Sequence, residues 1–123
     1  MTIPFFDGHN DTLLRLLEKP RDQRVRAFVD GTSEGHIDLP RAQKAGMVGG
    51  FYAMFPPPVK TDLASVAAGP GGGKGELPPE LNLADAQYST NGMAALLLDL
   101  ERTNALNICR SAAGIRAAIA DGK

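Results

Sequence analysis

Nine consecutive residues, Met47 to Phe55, carry no charge and hold two glycines and three aromatic rings. A strand with one face in water alternates apolar and polar side chains. An unbroken apolar run needs cover on both faces, as a strand inside a parallel sheet has. Such a strand has to be reached by a crossover, and the residues before it supply one. Asp38 suits an N-cap, and Pro40 suits the first helical turn, where its missing N–H costs nothing. The helix they open is predicted to run to about Ala45, with Gly46 as its left-handed stop.

The alternation extends in both directions. Ile3 to His9 reads as a short strand ending in polar residues. Thr12 to Lys19 reads as a helix with Leu13, Leu14, Leu16 and Leu17 on one broad face and Pro20 stopping it. Residues 20–37 are polar and of mixed charge, and are predicted to be a surface loop with room for one helical turn. Leu83 to about Thr103 is predicted as a long helix, with Tyr88, Gly92, Leu96 and Leu100 sharing a face and Met93 and Leu97 beside it. Leu106 to Cys109 reads as a third strand. Ser111 then caps a last helix through Ala120, with Gly122 as its stop. Between these, residues 56–80 hold six prolines and five glycines, a density that no regular element survives. That segment is expected to be a long loop or insertion. Strands alternating with helices define an α/β protein with a parallel sheet. Three strands do not close a barrel, and a fourth would begin just past the last helix.

Length and charge narrow the function. A chain of 123 residues fits one domain. With 13 basic and 14 acidic residues the net charge is −1, without the basic surplus of a nucleic-acid binder or the polybasic segment of a membrane-surface protein. The longest run of apolar side chains uninterrupted by glycine, Met93 to Leu98, is far short of the roughly 18 residues a spanning helix needs. The lone cysteine, Cys109, excludes an intramolecular disulfide and a Cys-rich zinc site. It reads as a small buried apolar residue. These features lead us to expect a soluble, cytoplasmic protein with neither nucleic acid nor membrane as partner.

The strongest chemical signal is Asp7-Gly8-His9-Asn10-Asp11. Residues two apart on a strand share a face, so His9 and Asp11 bring an imidazole nitrogen and a carboxylate together. At the C-terminal end of a first parallel strand they are natural ligands for a divalent metal such as zinc. The plainer reading is that His9 bonds within the loop and Asp11 caps the following helix. His36 and Asp38 repeat the spacing, but Asp38 has an evident capping task, so this pair is expected to be structural. Gly69 to Gly75, with Lys74, lacks the Gly-x4-Gly-Lys-Ser/Thr pattern of a phosphate loop and has no strand leading directly into it.

Three segments together resemble the membrane (renal) dipeptidase family: Asp7 to Leu13, His36 to Arg41 and Gly46 to Ala53. Their order and spacing match, and they cover most of residues 4–55. The resemblance implies the N-terminal part of a (β/α)8 TIM-type barrel, with the barrel incomplete in this chain and residues 1–123 forming a portion of one metallo-dipeptidase domain. It implies that His9 and Asp11 ligate one of two zinc ions, and that a bridging hydroxide attacks the carbonyl of a small dipeptide. It further implies a bridging glutamate on a strand just beyond Lys123, with two histidines and the substrate-handling arginine and aspartate further on. Phe55, at the pocket end of its strand where relatives tend to carry an aromatic, is the candidate substrate-binding residue. Leu14 is a weaker candidate wall, and Phe51 and Tyr52 are expected in the core. A homodimer of the complete enzyme is also expected. Two other readings stand beside the dipeptidase: a catalytically inactive fragment, and a small α/β binding module derived from that family.

Overall fold

In the computed structural model, residues 3–57 and 80–122 are described. Most of the Pro/Gly-rich segment and its glycine cluster therefore lie outside the described residues. Strand β1 (Phe5–Asn10) is followed by helices α1 (Thr12–Leu17), α2 (Arg24–Val29) and α3 (Leu39–Ala45). Then come strand β2 (Met47–Tyr52) and helices α4 (Leu83–Arg102) and α5 (Ala112–Ala120).

β1 and β2 pair in parallel as a two-stranded sheet. The Cα partners are Phe5 with Met47, Phe6 with Gly49, Asp7 with Gly50 and Asn10 with Tyr52. The ladder therefore skips one residue of β2 after Met47 and one residue of β1 between Asp7 and Asn10. The two irregularities compensate, so the strands begin and end in step. The second is a bulge immediately before the end of β1. Bulges re-aim side chains and gather next to functional sites.

The crossover into β2 forms as its residues dictate. Asp38 caps α3 by accepting the Arg41 N–H at 2.9 Å, and Gly46 ends the helix at φ +86°. The Asp38 carboxylate, 2% exposed, also accepts Thr32 N–H at 3.2 Å and Arg41 Nε at 2.7 Å. Burial alone pushes this carboxyl up. The Arg41 side chain, the Arg41 and Thr32 backbone N–H groups and the Arg41 charge outweigh it and hold the carboxyl below its ordinary value.

The core lies between α1, α2 and α4. Leu13, Met93 and Leu100 have no exposure, and Leu14, Leu16, Phe28 and Leu96 complete the cluster. A fully buried side chain of this kind contributes about 1.5–3 kcal/mol. Gly92 lets α4 approach α1: a Cβ there would stand 3.1 Å from Leu17 Cδ1.

Five expectations need correction. Residues 20–37 contain the helix α2, and its Phe28 is 2% exposed in the core, against the edge of the Tyr52 ring at a centroid distance of 6.3 Å. Tyr88 shares a face of α4 with Gly92, Leu96 and Leu100 in sequence but is 81% exposed, because α1 and α2 cover that face only from Gly92 onward. Leu106 to Cys109 forms no strand. The Ile108 N–H donates to Glu101 Oε1 at 2.8 Å, so a side chain occupies a backbone group that a ladder would use. Cys109 is half-buried rather than buried. The apolar run of β2 is also wetter than its composition suggests. Phe51 is 65% exposed and packs edge-on against Phe6 at 5.3 Å, and no described element covers this face. No helix among the described residues is long and apolar enough to cross a membrane.

Candidate metal centre

β1 ends at Asn10 and α1 begins at Thr12, so Asp11 is the hinge between strand and helix. His9 Nε2 and Asp11 Oδ1 meet at 3.4 Å. Their side chains are 68% and 53% exposed, so an ion can reach both from solvent. The separation exceeds the about 2.7–2.9 Å of a strong charge-assisted hydrogen bond. It matches the edge of a tetrahedron, since an N and an O donor each about 2.1 Å from one ion stand roughly 3.4 Å apart. The donor set, one imidazole nitrogen and one carboxylate oxygen, suits zinc and related divalent ions. The residues present therefore fit two corners of a metal site.

The competing task for Asp11 was helix capping, and the structure gives that task to its neighbour. Asp11 occupies the N-cap position of α1 but makes no side-chain capping bond. The Thr12 N–H instead donates to Asn10 Oδ1 at 3.2 Å. Asn10 is 8% exposed, and its Nδ2 donates to Asp7 Oδ2 at 2.9 Å and to the Phe51 carbonyl at 3.4 Å. The Asn10 carbonyl accepts Ala53 N–H at 2.9 Å, which carries the pairing one residue past β2. The Asp7 carboxylate lies over Gly50, where a Cβ would stand 3.1 Å from Asp7 Cβ and 3.4 Å from Asp7 Oδ2. Tyr52 lies nearby, its hydroxyl pushed up by burial and then by the Asp7 charge.

The remaining candidates separate. Asp38 is committed to Arg41 and Thr32, while His36 is exposed, so the second His-x-Asp is structural, as its capping position suggests. Among the described residues, no group of three or more His, Cys, Asp and Glu could hold a metal. Phe55 is 46% exposed, three residues after the end of β2. Leu14, 5% exposed, belongs to the core, because it sits on the buried face of α1. Sequence reasoning missed Asn10 and Asp7. The available signal was the strand period itself: a polar residue between two outward donors has to face inward and find partners there.

Comparison with known proteins meets this geometry. No family profile matches the chain. An uncharacterized protein of Acinetobacter calcoaceticus, from the PQQ-III 3' region, is 50% identical over 56 residues, which is 46% of this chain and 18% of that protein. The solved dipeptidase AC, a metallopeptidase of family M19, is 38% identical, with a TM-score of 0.82 over 99% of this chain and 35% of its own. A metallopeptidase from Rhodobacter sphaeroides, solved with a phosphinate mimic of the dipeptide L-Ala-D-Ala, is 38% identical with a TM-score of 0.85, over 99% of this chain and 36% of its own. The chain thus spans about a third of the length of the solved metallopeptidases it matches. The resemblance read from the three sequence segments holds along nearly the whole chain: it is similar to a portion of the metallo-dipeptidases, in an α/β fold with a parallel sheet.

Proposed function

We propose that this chain is the N-terminal part of a metal-dependent dipeptidase in which His9 and Asp11 hold one of two zinc ions. The observation that carries the reading is the meeting of His9 Nε2 and Asp11 Oδ1 at 3.4 Å, with Asp11 relieved of capping. Support comes from the similarity to metallo-dipeptidases, one of them solved with a dipeptide mimic. In this reading the two parallel strands belong to a (β/α)8 barrel, and the pair stands at the C-terminal strand ends where such barrels work. Residues 1–123 form a portion of one dipeptidase domain in the same reading. Bound zinc would acidify a shared water and polarise the scissile carbonyl. His9 and Asp11 act as ligands and not as acid or base. Phe55 forms part of the wall against a dipeptide side chain. A cytoplasmic location and a homodimer of the complete enzyme belong to the same proposal.

Residues 1–123 supply two described donors, whereas a catalytic zinc takes three protein ligands. This favours a second statement: the chain by itself turns over no dipeptide, and its ancestry is enzymatic. The experiment pairs it with a full-length relative that begins with this same sequence. The relative is expected to hydrolyse Ala-Ala-type dipeptides in a chelator-sensitive way, and His9→Ala or Asp11→Ala should each lower that rate at least about a hundredfold. The isolated chain should show no zinc-dependent hydrolysis. An unimpaired His9→Ala relative would refute the ligand assignment, and chelator-sensitive turnover by the isolated chain would refute the fragment reading.

A further inference from the structure

We infer that Asn10 is the positioning residue of the His9–Asp11 pair, acting with Asp7 as a clasp across the bulge of β1. Side chains alternate across a strand, so His9 and Asp11 face outward together only if Asn10 is held inward between them. The structure holds it at four points. Nδ2 donates to Asp7 Oδ2 at 2.9 Å and to the Phe51 carbonyl at 3.4 Å, Oδ1 accepts the Thr12 N–H at 3.2 Å, and the Asn10 carbonyl accepts the Ala53 N–H at 2.9 Å. These bonds tie β1 to its own earlier residue, to β2 and beyond it, and to the start of α1.

The Asp7 bond has a task the others lack. The ladder is irregular between Asp7 and Asn10, and Gly8 and His9 lie inside that irregularity. A bulge has an extra unpaired residue and several ways to bend. Joining its two ends by a side-chain bond selects one of them, and with it the direction of His9. The Thr12 bond does the same for the other partner: Asn10 caps the first turn of α1, so the Asp11 carboxylate is not drawn back onto the backbone. Glycine at position 8 is not what shapes the bulge sterically, since a Cβ there would meet nothing within 4 Å. The consequence for metal binding rests on the ligand reading proposed above; the positioning of the pair does not.

The test separates the two with nuclear magnetic resonance on the full 123-residue chain. In the unaltered protein, the His9 ring protons should show cross-relaxation to the Asp11 β-protons. Asn10→Ala and the near-isosteric Asn10→Asp, which sets two carboxylates face to face, should abolish it while the methyl shifts of Leu13, Met93 and Leu100 report an intact core. The exchanged pair Asp7→Asn/Asn10→Asp restores a donor opposite an acceptor and keeps an oxygen for Thr12, while the 3.4 Å bond to the Phe51 carbonyl loses its donor, so the cross-relaxation should return, weaker than in the unaltered protein. Gly8→Ala should leave it unchanged. Cobalt(II) titration of the same proteins reads the metal: relaxation enhancement at His9 should need about tenfold more cobalt in Asn10→Ala, and recover in the exchanged pair. If a folded Asn10→Ala or Asn10→Asp protein keeps the His9–Asp11 contact, or the exchanged pair folds without regaining it, the positioning role is wrong. If Asn10→Ala does not fold, the exchanged pair decides alone. If cobalt leaves His9 untouched in the unaltered protein while the contacts behave as stated, the metal reading fails and the clasp stands.

Discussion

Two carboxylates separated by a short stretch of sequence have opposite duties, and hydrogen bonding rather than residue type decides which. Asp38 is buried, caps α3 and is gripped by Arg41, so its charge is spent internally. Asp11 sits at an equivalent helix start, but Asn10 does the capping and leaves its carboxylate to His9. The sequence shows both as a His-x-Asp, and spacing alone cannot distinguish them. The residue between them does: Asn10 is polar and hydrogen-bonded to Asp7 and Thr12, whereas Ile37 is apolar. Asp38→Ala is expected to destabilise the chain by about 2 kcal/mol in urea unfolding, through the lost cap and the stranded Arg41. The pH dependence has a definite sign. The folded Asp38 carboxyl lies below its ordinary value of 3.8, so its contribution is present above that value and disappears as pH falls through the lower, folded one. Acid unfolding followed by circular dichroism should therefore steepen below roughly pH 4, and the same titration of Asp38→Asn should be shallower there.

At the scale of elements, helices were more legible than strands. Leu13, Leu16, Met93, Leu96 and Leu100 recur at helical spacing in α1 and α4, and the caps of α3 and α5, Asp38 and Ser111, are local in sequence. Helix α2 reads in sequence as no more than one helical turn because it is only six residues long and its cap is not a favourable side chain: Gln23 makes no side-chain capping bond. It exists because Phe28 fills the space beside α1 and Tyr52, a tertiary reason. Strands depend on partners far away in sequence. Leu106 to Cys109 has strand-like composition and no described neighbour to pair with, and its Ile108 N–H goes to Glu101. The bulge that orients His9 is a matter of register between β1 and β2, which no local pattern encodes. Leu100→Ala, at a position without exposure, should cost about 2–5 kcal/mol of unfolding free energy. Tyr88→Ala, on an exposed turn of the same helix, should stay within about 0.5 kcal/mol. Equal costs at the two positions would contradict the burial pattern.

For the whole molecule, the exposed rings of Phe5, Phe6, Phe51 and Phe55 gather on and beside a two-stranded sheet. Apolar sheet surface of this kind associates when it is left in water. Sedimentation of the isolated chain should show concentration-dependent association that Phe51→Lys reduces; a strictly monomeric chain at high concentration would contradict this. The central claim concerns the C-terminal end of β1, where the proposed function makes His9 and Asp11 two donors of a metal site. Zinc titration of residues 1–123, followed through the His9 and His36 ring resonances, tests it most directly. Two protein ligands hold zinc loosely, so the His9 signals should move gradually without a sharp one-to-one endpoint, while the His36 signals stay still. A stoichiometric tight endpoint, or shifts centred on His36 with His9 unmoved, would contradict the assignment of His9 and Asp11 as the two-donor part of a larger metal centre.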